Sequence, residues 1–481
     1  MRIANELFVV LFVSVLVGVV TDQWLMAGSL PVLWSIWRFL RLEGGPPVLA
    51  FALTYHWGQN VIGLFYYSIT GRRPLGMQAE LYSQMVIISL ICVCLLVAGI
   101  VAGDALVARS MKPRPTREIA LGWGNLLVFY FALLVFRGTL RDYAWNVSAG
   151  LTQGVLAITY IRFALFYLIL RRLVYLRRWS YAAGFVVLEL ALGMIGYFAE
   201  FREPLFIAVV VVAEQFDYRR ASHWISLSTV GVVMLLTGVL WIGIRSPLRE
   251  HSDQLSTLSV GDRIDYSTTL AQAFWAGSAE NKLDAVDTFI DRIWDIYYPA
   301  LALARVPKVL PHTDGAMMTT ALQHVLTPRI LVPDKQDVES DSLQVRRFAG
   351  LWVAGPEQNT TISFGYPIQS YIDYGIPGMF VPVFLFAVFM GAAYRLLLRI
   401  LVHREISVAV VTVIFWMSLY AANKSWAKMI GLALTMLVYL GGFTYLIDRY
   451  LASSADAIDD LKRAAAAVAD ADRARTSAWR A

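Results

Sequence analysis

About twelve apolar segments, each roughly as long as a membrane crossing requires, fill both ends of this chain. One polar stretch, residues 245–365, interrupts them. A helix needs about 20 mainly apolar residues to cross the hydrocarbon core of a bilayer, and that length predicts spans at 3–21, 24–40, 47–69, 81–106, 119–136, 151–170, 180–198, 203–217, 224–243, 375–394, 406–422 and 428–447. A single large polar segment on such a protein is usually where its function resides.

Composition excludes a soluble globule. Hydrophobic residues make up 58% of the 481 positions and charged residues 16%, with a mean hydropathy of +0.58, which leaves too little polar surface. We therefore predict an all-α polytopic membrane protein of about 12 transmembrane helices. Its parts are an N-terminal bundle at 1–244, a large extracytoplasmic loop at 245–365 that is helical and then Pro/Gly-rich, a C-terminal bundle at 366–447 and an Ala-rich cytoplasmic tail at 448–481.

Basic residues in the short loops predict the orientation, because cytoplasmic loops carry an excess of Lys and Arg. With every span in place, most basic clusters fall on one side: Arg38, Arg41, Arg109, Lys112, Arg114, Arg117, Arg171, Arg172, Arg177, Arg178, Arg219, Arg220, Arg395, Arg399 and Arg404. That side is predicted to be cytoplasmic. Both termini are then inside and the large loop is outside.

A second set of basic residues falls on the outer face, against this tendency: Arg72, Arg73, Arg137, Arg141, Arg202, Arg245, Arg249, Lys424 and Lys428. The guanidinium group of Arg matches phosphate oxygens bidentately. The set therefore predicts a basic basin for a lipid-linked phosphate or diphosphate, unless its members simply reach lipid headgroups. Beside Arg202, the carboxylates of Glu200 and Glu203 are suited to acid–base chemistry.

Ionisable groups in the middle of spans are costly and tend to be paired or functional. Arg162 in the sixth span and Glu189 in the seventh lie at similar depths, so we predict an ion pair whose role is structural. His56, Gln59 and Asn60 recur at helical spacing in the third span and are predicted to face the bundle interior.

The polar segment has two halves. Residues 270–303 are predicted to form amphipathic helix, with Asp284, Asp287, Asp291 and Asp295 on one solvated face. These four aspartates do not form a recognisable set of metal ligands. The second half is rich in Pro and Gly and carries basic residues. Because proline fixes φ, we expect a preorganised basic loop.

Several short patterns resemble the bacterial polytopic polymerases of oligosaccharide repeat units, which make O-antigen and exopolysaccharide. They are Phe201-Arg202-Glu203-Pro204 at a span end, Asp291-Arg292 followed by Val306-Pro307, the Pro-Arg…Pro-Asp-Lys segment at 328–335, and Gly375-x-x-Gly378 where a late span begins. The resemblance covers chiefly residues 180–395. Related ligases usually carry a His-Asn pair before the Gly-x-x-Gly element, whereas this chain has Glu357, Gln358 and Asn359 there.

The resemblance implies a GT-C-like glycosyltransferase of the bacterial inner membrane that uses no nucleotide sugar, cofactor or essential metal. Such enzymes join undecaprenyl-diphosphate-linked oligosaccharides at the outer leaflet, alongside a flippase and a chain-length regulator. On this hypothesis Arg202, Arg329 and Lys335 hold the donor diphosphate with support from Arg137 and Arg141, and Arg346 or Arg347 contacts the second substrate. The base is Glu203 or Glu357, with Asp334 as a third candidate.

Two other classes remain open besides a ligase. A flippase or other transporter would have about twelve spans, but such chains usually show repeated halves, and none is evident here. A non-catalytic scaffold of polysaccharide assembly would use the large loop only to dock partners.

Overall fold

The computed structural model describes residues 2–71, 79–112, 116–118, 122–146, 152–194, 202–216, 220–251, 260–327, 332, 334–335, 337–358 and 360–454. The first half holds α1 (Arg2–Thr21), α2 (Trp24–Phe39), α3 (Val48–Thr70), α4 (Ala79–Ser110), α5 (Trp123–Asn146), α6 (Thr152–Thr159), α7 (Ile161–Tyr175), α8 (Trp179–Met194), α9 (Arg202–Glu214) and α10 (Ala221–Glu250). The second half holds α11 (Val260–Ala276), α12 (Ala279–Ile293), α13 (Tyr297–Arg305), α14 (Ala316–Leu326), α15 (Asp341–Ala349), α16 (Tyr366–Gly378), α17 (Phe380–Ile400), α18 (Arg404–Leu419) and α19 (Trp426–Thr435).

Seven helices within these ranges are long and apolar enough to cross a membrane: Ile3–Thr21, Glu80–Ser110, Trp123–Ala144, Thr152–Tyr175, Ala221–Leu248, Phe380–Ile400 and Trp426–Ser454. They identify an α-helical membrane protein. The other predicted spans coincide with shorter or less apolar helices, namely α2, α3, α8, α9 and α18. The larger number of spans therefore stays a prediction.

The polar segment is more helical than its composition suggests. Its first half folds into α11, α12 and α13, and its Pro/Gly-rich second half contains α14 and α15. The buried carboxylate of Asp373 on α16 accounts for one of these helices, because it accepts hydrogen bonds from the backbone N–H groups of Met317 (3.0 Å) and Met318 (2.8 Å). These N–H groups lie in the first turn of α14 and have no partner within the helix. The end of the bundle that connects to this segment is called the loop end below.

One pair of helices with backbone contact joins the two halves of the chain. A Cβ atom on Gly103 of α4 would lie 2.0 Å from the carbonyl oxygen of Val388 on α17, and one on Gly391 would lie 2.0 Å from that of Ile100. Glycine alone permits such backbone contact, as is common between membrane helices. Farther from the loop end, Arg395 forms a bidentate ion pair with Asp104 through Nε (2.7 Å) and Nη2 (2.8 Å).

Gly391→Leu should therefore separate α4 from α17. We expect a loss of about 3 kcal/mol or more, because overpacking here meets backbone that cannot rotate away. Thermal unfolding of the purified protein in detergent measures the loss. Gly28→Leu is the matched control, since no heavy atom lies within 4 Å of a Cβ at Gly28. Equal unfolding temperatures for the two variants would contradict the close contact.

Candidate functional site

A cavity of about 1150 Å³ opens between α3, α9, α10 and the turn that follows α18, and Thr360 and Thr361 also line it. Its charged lining residues among those described are four cations and one carboxylate: Arg202, Arg245, Arg292, Lys424 and Glu203. We call it the cationic cavity. The five residues come from four elements, namely α9, which carries both Arg202 and Glu203, α10, α12 and residues 420–425, so the fold brings distant parts of the chain together.

One face of α10 gives the cavity its gradient from apolar to charged. Leu227, Gly231, Met234, Leu235, Gly238, Ile242 and Arg245 line it at the three- and four-residue steps of a helical stripe. At 1.5 Å per residue, Leu227 and Arg245 lie about 27 Å apart, close to the thickness of the hydrocarbon core. The wall is therefore apolar along the span and becomes cationic at the loop end.

Glu203 is the carboxylate of this site. It is 8% exposed, and it interacts electrostatically with both Arg202 and Lys424. Arg202 and Arg292 are exposed, whereas Arg245 and Lys424 are half-buried. The cations exceed the carboxylate in number, so the cavity favours an anion.

Lys424 is held at a defined place in the cavity wall. Its Nζ donates to the carbonyl of Met417 at 3.0 Å and lies 4.1 Å from the centroid of the Tyr420 ring, a cation–π distance. Burial, and next the positive charge of Arg202, lower the pKa of Lys424 to about 7. Near neutral pH this ammonium group can therefore gain or lose its proton.

Buried amide side chains fix the turn that carries Lys424. The Oε1 atom of Gln59 accepts from the backbone N–H of Ala422 at 2.9 Å, and that of Gln369 accepts from Trp426 N–H at 2.7 Å. Gly365, whose φ is +85°, packs so closely that a Cβ would lie 2.3 Å from the carbonyl oxygen of Ala422. Any side chain at Gly365 would displace the turn.

An aromatic cluster adjoins Arg202 and Lys424. The ring centroids of Phe206 and Trp416 are 4.3 Å apart, those of Tyr55 and Phe206 are 5.0 Å apart, and Trp416 stacks on Tyr420. Tyr55, Phe206 and Tyr420 also line the cavity. Aromatic rings offer rigid apolar surface with a polar edge. The cationic end of the cavity therefore also has a rigid aromatic surface.

The structure brings only part of the predicted site together. Arg202 and Glu203 line the cavity. Arg137 lies on α5 and is not among the lining residues. Two further predictions, Arg329 and the side chain of Arg141, fall outside the described residues.

The remaining predicted residues interact within the loop itself. The Nζ atom of Lys335 donates to the carbonyls of His324 and Thr327 at the end of α14 (2.7 Å to Thr327). A cation at a helix C-terminus interacts favourably with the helix dipole. Arg346 pairs with Glu357 and donates to the carbonyl of Val353 at 2.8 Å. Arg347 lies 5.1 Å from the Phe348 ring centroid. Asp334 is an exposed turn residue.

These contacts weaken the expectation of a preorganised phosphate-binding loop. The amine of Lys335 stabilises a helix terminus, and the Arg346 guanidinium keeps the pKa of Glu357 below its ordinary value, which disfavours Glu357 as a base. Neither Lys335 nor Glu357 lines the cationic cavity. Glu203 is therefore the predicted base that the structure places beside the cations.

The predicted donor site did not name Arg245, Arg292 or Lys424, although the predicted basic basin included Arg245 and Lys424. The signal was present, because Arg245 and Lys424 belong to the cations predicted on the outer face, and Arg292 stands in the Asp291-Arg292 pattern. The proximity of these three residues depends on how α10, α12 and the 420–425 turn pack.

The acidic face of α12 has a packing role. The hydroxyl groups of Tyr66 and Tyr67 donate to Asp287 and Asp291, which attaches α12 to the end of α3. Within the described ranges, no cluster of three or more His, Cys, Asp or Glu residues is placed to hold a metal ion.

The predicted partners Arg162 and Glu189 do lie together. Nη1 of Arg162 is 2.5 Å from both carboxylate oxygens of Glu189, the Tyr130 hydroxyl also donates to Glu189, and the two charged side chains are 3% and 1% exposed. Neither lines the cationic cavity. His56, Gln59 and Asn60, which were predicted to face the bundle interior, are buried, and Gln59 also lines the cationic cavity.

Glu189→Ala should destabilise the protein by about 3–5 kcal/mol, because it leaves the guanidinium of Arg162 buried without its carboxylate. The double change Arg162→Leu with Glu189→Leu removes both charges and should cost less. Thermal unfolding in detergent compares them with Glu80→Ala, which alters an exposed carboxylate. A double variant less stable than the single one would rule out the structural pair.

Comparison of the chain with protein-family models, with curated proteins and with solved structures gives no match.

The pKa of Lys424 predicts a pH dependence for anion binding. The protonated ammonium is present below about pH 7 and is lost as the pH rises, so affinity for a diphosphate should fall by about tenfold when one charged hydrogen bond disappears. Lys424→Arg should bind equally at both ends of the range, because guanidinium stays charged. Titration calorimetry with geranyl diphosphate between pH 7 and 9 compares the two. Parallel pH profiles would show that another group titrates.

Proposed function

We propose that this protein is a membrane glycosyltransferase that polymerises undecaprenyl-diphosphate-linked oligosaccharide repeat units into O-antigen or exopolysaccharide. The single observation that carries the proposal is the gradient of the cationic cavity. An apolar stripe on α10 leads over about 27 Å to Arg245, and Arg202, Arg292 and Lys424 line the same cavity together with the uncharged polar residues Thr360, Thr361 and Asn423. A lipid chain, its diphosphate and its sugar need these three kinds of surface.

The four cations suit the leaving group of such a transfer. When the glycosidic carbon leaves a lipid diphosphate, negative charge develops on the phosphate oxygen, and fixed cations that are already in place stabilise it. Arg245 and Lys424 are half-buried, so water screens their charges less than those of exposed groups.

Glu203 is the proposed base. An acceptor hydroxyl oxygen attacks the anomeric carbon of the donor, and the bond from that carbon to the diphosphate oxygen breaks with its electron pair left on the diphosphate. The hydroxyl proton goes to the Glu203 carboxylate. Glu203 is the carboxylate that lines the cavity within the described residues, and it is 8% exposed.

The basic residues of the short loops support the proposed orientation in a bacterial inner membrane, with the loop end outside. A lipid-linked unit made inside must then cross the membrane before it reaches the cavity. The proposed pathway accordingly needs a flippase that acts before this protein. A chain-length regulator is a further proposed partner.

Arg202→Ala tests the proposal in cells in which the variant is the only copy of the protein. We expect long polymer to disappear and single lipid-linked repeat units to accumulate on the outer face, because leaving-group stabilisation is lost. Glu203→Gln should give the same result. The measurement is the size distribution and sidedness of lipid-linked glycan, with insertion of each variant confirmed.

Arg109→Ala, at an exposed position far along α4 from the loop end, is the matched control and should leave polymer length unchanged. Other results identify other functions. Single units trapped inside would indicate a flippase, and long lipid-linked polymer that is never transferred onward would indicate a ligase. Normal polymer in both cavity variants would leave a scaffold role and contradict the proposal.

A further inference from the structure

The turn after α15 holds a tryptophan in an exposed position. The side chain of Trp352 is 68% exposed, and the guanidinium carbon of Arg346 lies 5.2 Å from the centroid of its ring, a cation–π distance. Arg346 is held in turn by Glu357 and by the carbonyl of Val353. The polar contacts of Arg346 therefore position an indole whose surface is mostly accessible.

A cation with unused hydrogen-bonding capacity lies next to this indole. The guanidinium of Arg305, at the end of α13, packs against Gly350, where a Cβ atom would lie 2.5 Å from its Cζ atom. Arg305 is half-buried, and within the part of the chain that the structure describes neither its Nε atom nor its charge has a partner. The Cα atoms of Gly350 and Trp352 are at most about 7 Å apart, because two residues separate them. We call Arg305, Arg346, Gly350 and Trp352 the Trp352 surface.

Short contacts join the Trp352 surface to the cationic cavity. Nη2 of Arg346 and Oε2 of Glu357 lie 2.9 Å and 2.7 Å from the place of a Cβ atom on Gly355. The carbonyl of Gly355 accepts from the backbone N–H of Thr360 at 3.1 Å, and Thr360 lines the cavity. The surface and the cavity are therefore neighbours.

A sugar ring that carries an acidic group matches both features of the surface. The C–H groups on one face of a pyranose pack on the electron-rich face of an aromatic ring, and a carboxylate accepts two parallel hydrogen bonds from a guanidinium group. The charged neighbours Arg347 and Glu357 are exposed, which indicates a surface that faces water rather than acyl chains. These observations favour a glycan over a lipid.

We propose that the Trp352 surface binds an acidic sugar of the glycan that is being transferred. The indole of Trp352 stacks on the pyranose ring, and the guanidinium of Arg305 binds the carboxylate. This inference rests on the proposed function. It places a glycan-binding site beside the cavity, so that the growing chain stays bound between one transfer and the next.

Binding of a soluble glycan tests the surface on the full-length protein in detergent, where no bilayer is present. The probe is the host cell's own polysaccharide, cut to short oligosaccharides, freed of lipid and labelled at the reducing end. We expect Trp352→Ala to weaken binding about tenfold and Trp352→Phe to restore most of it, because a phenyl ring keeps an aromatic face. Trp275→Ala removes another exposed indole of the polar segment and, as the matched control, should bind like the wild type.

The charge is tested by a variant and by a modified probe. Arg305→Gln should weaken binding about tenfold. Reduction of the sugar carboxylates to alcohols should weaken binding to the wild-type protein equally, and this comparison does not depend on how the variant folds. Unchanged binding after reduction, a host polysaccharide without acidic sugars, or equal affinity of the wild type and Trp352→Ala would overturn the inference.

Polymer length in cells separates this inference from the proposed function. Trp352→Ala should still join repeat units but give shorter polymer, whereas Arg202→Ala should leave single units. Long polymer in Trp352→Ala beside single units in Arg202→Ala would overturn the role of the Trp352 surface alone. Long polymer in both Arg202→Ala and Glu203→Gln would overturn the proposed function and this inference with it. Shorter polymer in Trp352→Ala with unchanged oligosaccharide binding would assign the indole to the membrane surface instead and contradict glycan binding.

Discussion

Backbone contact between α4 and α17 fixes how the two ends of this chain meet. Gly103 and Gly391 each allow a carbonyl of the opposite helix to approach to a distance that a Cβ atom would forbid, and the Arg395–Asp104 pair holds the same two helices farther along. Because α17 leads through α18 to the turn at 420–425, this contact determines where Lys424 lies relative to α3 and α9. The cationic cavity depends on it.

The site is consequently a product of packing between distant segments. Gln59 on α3 holds the backbone of Ala422, Arg202 begins α9, and Arg245 stands near the end of α10. The large polar segment, which composition singles out, contributes Arg245, Phe289, Arg292, Ile293 and two threonines to the cavity. Most of the cavity lining comes from the membrane bundle, so the segment completes a site that the spans build.

Sequence patterns predicted the features that depend on one helix or on two neighbouring ones. Apolar runs indicated the long spans, and matched depth indicated the pair between Arg162 and Glu189, which lie in successive antiparallel segments. Patterns could not reveal that Lys335 satisfies the carbonyls at the end of α14, because α14 was not foreseen in a Pro/Gly-rich stretch. Nor could they show that Arg245 and Lys424, distant in sequence, share one cavity. The sequence predicted cations at an outer face, whereas their convergence in one cavity became visible only in the fold.

The most direct test is an experimental structure of the protein in a lipid nanodisc with undecaprenyl diphosphate bound. The proposed donor site predicts diphosphate density within hydrogen-bonding distance of Arg202, Arg245 and Lys424, with the polyprenyl chain running along the α10 stripe from Ile242 towards Leu227. Diphosphate density beside Lys335, Arg346 or Arg347 instead, with the cationic cavity empty, would contradict it.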